Sequence, residues 1–206
     1  MKRFFWIIST SAFCLALLSC GGGPGAPGSS GSADTGIEIQ SVSIVPNATS
    51  GGDKGPDLDV NVRTCPNGKP ETGETGLYRV DATMTITASK LNPNSDFDPF
   101  PATVTQCTIT YKQPADEYGA PVIEAWTIYP DCTLTEGSNT CVANLIDIAR
   151  KMDYWNNVIN IINDPQKYPT RYTASYDCTY MNNFGKSGHL GVDLDIFLAD
   201  FGSCSS

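Results

Sequence analysis

The stretch Leu77-Tyr78-Arg79-Val80-Asp81-Ala82-Thr83-Met84-Thr85-Ile86-Thr87-Ala88-Ser89 decides the fold class. Tyr78, Val80, Ala82, Met84, Ile86 and Ala88 share one side of an extended chain, and Arg79, Asp81, Thr83, Thr85 and Thr87 share the other. Successive side chains on a strand point to opposite faces, so the pattern predicts a strand with one face in a core and one in water. Weaker runs of the same kind lie at residues 37–45, 58–64, 102–112, 122–129, 172–180 and 190–198, separated by turn residues. Parity changes between Ile39 and Val42, which predicts a bulge or an edge strand that switches partners. Asn182-Asn183-Phe184-Gly185-Lys186-Ser187-Gly188 has the chemistry of a hairpin loop between the last two runs.

About seven strands at this spacing, rich in Thr and Val, predict an all-β fold, an antiparallel β-sandwich. Their order and turn signals resemble an immunoglobulin-like or fibronectin-type-III-like domain over roughly residues 37–204. The Cys-Trp-Cys hallmark of antibody domains is out of register, because Trp126 follows Cys107 by a whole strand. The resemblance therefore implies an architecture and no activity. One region breaks the period of two. Val142, Leu145, Ile146, Ala149, Met152, Trp155, Ile159 and Ile162 recur at helical spacing until Asn163-Asp164-Pro165 ends the run. Residues 140–149 read equally well as a strand. A short helical insertion is expected near residues 150–162, bridging two strands with its apolar stripe against the sheet.

The N-terminus reads as an address. Lys2 and Arg3 precede an apolar run, residues 4–18, too short to span a membrane comfortably. The run ends in Leu17-Leu18-Ser19-Cys20, which resembles the lipobox of bacterial lipoproteins. That resemblance implies a signal peptide over 1–19, an acylated, palmitate-type Cys20 and anchorage in the cell envelope. Gly21, in place of an Asp that would signal inner-membrane retention, implies the outer membrane. Residues 20–36 then read as the lipidated Cys followed by a Gly/Ser/Pro tether, leaving 37–206 as the folded domain. A coil of about 16 residues holds a domain on the order of 20 Å from its anchor.

Eight cysteines are present, of which Cys14 leaves with the signal and Cys20 carries lipid. The remaining six, Cys65, Cys107, Cys132, Cys141, Cys178 and Cys204, read as a disulfide framework in an exported chain. Cys132 and Cys141 flank a turn-rich octet suited to a hairpin cross-link. Cys107 lies on a face with Ile109 and Tyr111, and Cys178 on one with Tyr172, Ala174, Tyr176 and Tyr180, so both are expected in one core. Elimination leaves Cys65 with Cys204.

The chain carries 13 Lys plus Arg against 22 Asp plus Glu, a net charge of -9, and one His. It has no basic patch for a phosphate backbone, which excludes nucleic acid as a partner class, and no CxxCH or His cluster for haem or a His-rich metal centre. Loss of Lys2 and Arg3 with the signal takes the net charge to -11, so acyl chains and not basic residues must hold the membrane. His189 beside Gly188 reads as a surface residue, since nothing around it in the sequence shows a nucleophile, base and orienting group in a triad. Asp57 and Asp59, with Asn61, share one face of an early strand, and Asp193 and Asp195 share one face of the last. If those strands are neighbours the carboxylates converge, and hard oxygen ligands would suit Ca²⁺. The loop of residues 92–98, with Asn94, Asp96 and Asp98 at alternate positions, is a second calcium candidate. The solvated face of an acidic protein is the favoured reading of both. No cofactor is implied. The functional expectation is a non-enzymatic binding or assembly module, whose partner is an envelope protein or an extracellular polymer. The alternatives are a small carbohydrate-active hydrolase using the paired carboxylates, and a structural spacer in a larger complex.

Overall fold

A computed structural model describes residues 26–47, 55–60, 78–113, 121–159, 169–199 and 201. Among them run β1 (Ile37–Pro46), β2 (Asp57–Asp59), β3 (Val80–Lys90), β4 (Ala102–Lys112), β5 (Trp126–Ile128), β6 (Cys132–Leu134), β7 (Gly137–Ile146), β8 (Thr170–Met181) and β9 (Ser187–Ala199). A sheet ordered β1-β3-β7 packs against a sheet ordered β2-β9-β8-β4-β5, with β6 also paired to β4. The pairings are antiparallel except β2 with β9, which run parallel, so the expected antiparallel sandwich is mixed at one edge. With β1, β3 and β7 as strands A, B and E and β9, β8, β4 and β5 as G, F, C and C′, the order is that of an immunoglobulin-like sandwich. The alternating stretch became β3, with Val80, Ala82, Met84, Ile86 and Ala88 buried at its centre.

Three bulges adjust the faces of these strands. In β1, Gln40 is skipped between Ile39 and Ser41, at the predicted parity change. In β4, Thr105 is skipped, and its hydroxyl donates to the Thr179 carbonyl at 3.1 Å. In β7, Leu145 is skipped between Asn144 and Ile146, which buries both Leu145 and Ile146. An extra residue disrupts the ladder and leaves carbonyls to be satisfied otherwise. Phenols from the opposite sheet do so here: Tyr176 donates to Asn144 O at 2.9 Å and Tyr111 donates to Leu145 O. Trp126 Nε1 donates to the Tyr111 hydroxyl at 3.1 Å, completing a chain from β5 across the core to β7. Burial raises the pKa of Tyr111 and of Tyr176, so both hydroxyls keep the protons these bonds need.

After β7 the chain turns into α2 (Ile148–Tyr154), following α1 (Ser32–Thr35) near the N-terminus, and continues as a π-turn over Trp155–Ile159. The residues open to either reading, 140–149, are thus strand as far as Ile146. Asp147 caps α2 by accepting from Arg150 N at 2.9 Å. Arg150 pairs with Asp147 at 2.7 Å, stacks over Trp126 at 4.6 Å and donates to the carbonyls of Glu124 and Ala125. Tyr154 is buried against the ring of Tyr172, its hydroxyl bonded to Thr170 Oγ1 and the Leu198 carbonyl.

Cys107 and Cys178 are direct partners in the β4–β8 ladder and form a disulfide inside one sheet. Cys132 is bonded to Cys141, but their octet is not a hairpin: β6 belongs to one sheet and β7 to the other, so this bond ties the sheets together. Buried Asn139 organises the octet instead, accepting from Thr135 N and donating to the carbonyls of Thr135 and Gly137. Cys14, Cys20, Cys65 and Cys204 lie outside the described residues.

The stretch read as tether is folded from Ala26 onward. Ala26 N donates to Ile39 O on the β1 edge, and Ser30 and His189 exchange both main-chain bonds on the β9 edge. Gly31 and Gly36 take positive φ at the two ends of α1, and Thr35 is fully buried beside the Tyr180 hydroxyl. Small residues suit a tether, but they also let a backbone lie close on a sheet edge, as Gly28 does on Gly191. The domain therefore includes residues 26–36.

Candidate functional site

β1 is an edge of its sheet and adjoins the part of β9 before Phe197, which β2 leaves uncovered, and the N-terminal segment crosses from one to the other. Ala26, Pro27 and Gly28 form one wall of a cleft of about 530 Å³, Gln40, Ser41 and Val42 at the β1 bulge form the second, and Gly191, Val192 and Asp193 of β9 form the third, with Tyr176 at its floor. The bulge at Gln40 bends β1 where the cleft lies. Glycine at 28 and 191 lets the two backbones lie close, since a Cβ at 28 would stand 3.4 Å from the Gly191 Cα.

The main chain of β9 beside the cleft has a defined polarity. His189 bonds outward to Ser30, and Phe197 N donates outward to Pro56 O at 2.8 Å. The β8–β9 register is continuous between them. By alternation Asp193 and Asp195 also turn their N–H and C=O groups away from β8. Gly28 packs on Gly191 at one end of this interval and Pro56 bonds Phe197 at the other. Among the described residues no strand pairs with the edge at Asp193 and Asp195.

The side chains of Asp193 and Asp195 project to the solvent face, opposite Ser175 and Thr173 of β8. Asp195 accepts from Thr173 Oγ1 at 2.7 Å and from Arg171 Nη2 at 2.6 Å. Those two bonds, with the Arg171 charge, hold its carboxyl below the usual carboxylate range. Asp57 and Asp59 do neighbour β9, but further along it, against Phe197 and Ala199, and Asp59 is buried. Asn61 lies outside the described residues. No protein-family model, curated protein or solved structure matches this chain. Function must be read from the site itself, and no group of three or more His, Cys, Asp or Glu able to hold a metal ion occurs among the described residues. In the second calcium candidate, Asp98 pairs with Lys90 at 3.5 Å and accepts from Phe100 N, while Asn92 Oδ1 accepts from Asn94 N. These carboxylate and amide groups brace the loop. His189 is exposed, 3.9 Å from Asp177 Oδ1.

Sequence reasoning placed Asp193 and Asp195 on one face of the last strand, but it missed the cleft beside them. Residues 26–28 looked like linker, and the alternation of Tyr172, Tyr176 and Tyr180 marked a buried face without saying what the hydroxyls reach. The available signal was Gly191, an interior strand glycine, which marks a close backbone approach.

Proposed function

We propose that the chain is an exported cell-envelope lipoprotein, held in the outer membrane by acyl chains on Cys20, whose sandwich is a non-enzymatic binding or assembly module. The observation that carries this reading is the run Leu17-Leu18-Ser19-Cys20 at the end of a short apolar segment behind Lys2 and Arg3. It is supported by two disulfides in the folded part, since such bonds persist in oxidising compartments. Against the hydrolase alternative, one of its four carboxylates is unsuited to the acid role. Asp195 is fixed as an anion by Arg171 and Thr173, the opposite of the raised pKa that a general acid needs. The partner is another envelope protein or an extracellular polymer.

Cys20→Ala tests the anchor. The variant is expected to accumulate unprocessed or to leave the membrane fraction, and membrane fractionation like the wild type sinks the lipoprotein reading. Cross-linking on intact cells tests the module: one partner captured at fixed ratio supports it, and capture of abundant neighbours alone counts against a protein partner.

A further inference from the structure

We infer that the interval of β9 at Asp193 and Asp195 is a docking edge for an extended peptide that alternates basic and apolar residues. The inference rests on the binding-module reading and names the chemistry of its partner. Two outward N–H groups and two outward C=O groups stand between Gly191, covered by Gly28, and Phe197, bonded by Pro56. An added strand takes its affinity from such groups and its specificity from what lies on its two faces. On the outer face a residue opposite Asp193 meets an exposed carboxylate on a chain of net charge -9, which selects Lys or Arg. On the inner face the alternate residues turn toward the cleft and meet the half-buried Val42 and Val192, which selects an apolar side chain.

A second copy of this chain is a poor occupant. Antiparallel pairing of two β9 edges about Asp193 sets Asp193 against its own counterpart, and like charges directly opposite are destabilising. The same charge keeps the edge from self-association while favouring a basic strand.

The test uses the full-length, lipidated protein extracted in detergent. It is titrated with the peptide Lys-Val-Lys-Val-Lys-Val and with a block peptide of the same composition, three Lys followed by three Val. The alternating peptide is expected to bind at least about tenfold more tightly and to slow amide hydrogen exchange at Asp193 and Asp195. Asp193→Pro removes one outward N–H without touching the β8 ladder and should abolish the difference. Asp193→Lys should reverse the preference toward Glu-Val-Glu-Val-Glu-Val, a gain that a misfolded variant cannot produce. Equal affinity of the wild type for the alternating and block peptides, or a preference unmoved by Asp193→Lys, overturns the proposal. Either failure leaves the anchor and the cellular partner to be judged by Cys20→Ala and by cross-linking.

Discussion

At the scale of single residues, two buried hydroxyls hold the sheets in register. Tyr111 and Tyr176 rise from β4 and β8, and each donates to a carbonyl beside the bulge at Leu145, where the β3–β7 ladder is interrupted. Tyr111 also accepts from Trp126 Nε1, so its hydroxyl satisfies a donor and an acceptor at once. Removing one partner of a buried hydrogen bond costs the desolvation of whatever is left unsatisfied, about 1–3 kcal/mol per group. Tyr111→Phe leaves Trp126 N–H and Leu145 O without this partner, whereas Tyr176→Phe strands only Asn144 O. Urea unfolding with the disulfides oxidised should therefore show Tyr111→Phe to be the more destabilising by about 1 kcal/mol, with an altered Trp126 emission in the folded state. Equal losses would mean that water replaces the Tyr111 hydroxyl.

At the scale of elements, the bulges decide what could be read in the sequence. In β1 the extra residue falls between apolar pairs, so the break in parity at Ile39 and Val42 was visible and predicted a bulge. In β7 the extra Leu145 makes Leu145 and Ile146 adjacent buried residues, and with Ala149 they imitate the i, i+1, i+4 pattern of a helix. Residues 140–149 therefore stayed ambiguous until β3 supplied a pairing partner, a contact between elements far apart in sequence. The disulfides divide along the same lines. Cys107–Cys178 closes a separation of 71 residues within one sheet, and Cys132–Cys141 closes 9 residues between sheets. Chain entropy alone assigns about 4 kcal/mol to the first and about 3 kcal/mol to the second. Replacing Cys107 and Cys178 together by Ala should lower the urea midpoint more than replacing Cys132 and Cys141 by Ala. The reverse order would show that the link between sheets stabilises by holding β6 against β7, beyond its effect on the unfolded chain.

At the scale of the whole molecule, the folded domain begins nearer to Cys20 than composition suggested. A stretch without large side chains reads as tether because it cannot form a core of its own, yet residues 26–36 use backbone bonds and small-residue contacts that need no apolar bulk. Only residues 21–25 lie between Cys20 and the first described residue, Ala26, whatever their conformation, where a free tether to residue 36 would average about 20 Å. If Cys20 is the anchor, six residue steps keep Ala26, in the wall of the cleft between β1 and β9, within about 20 Å of it. Gly31 is the weakest point of this arrangement. Its φ is +83°, and a Cβ there would lie 2.8 Å from the Gly188 Cα. Gly31→Ala combines the left-handed penalty of about 1–2 kcal/mol with a backbone collision that neither strand relieves without separating. The variant should release Ser30 from His189 while the sandwich stays folded, because the core from Ile37 onward does not depend on that pair. Cleavage at Asp34 by an Asp-specific protease, followed by mass spectrometry, should become at least about tenfold faster, the change expected from about 1.4 kcal/mol of local opening. Amide exchange should accelerate at Ser30 and His189 but not along β3. Unchanged cleavage would mean that the segment is held chiefly by α1 and the Thr35–Tyr180 contact, and that its stay on the β9 edge is incidental to its place in the fold.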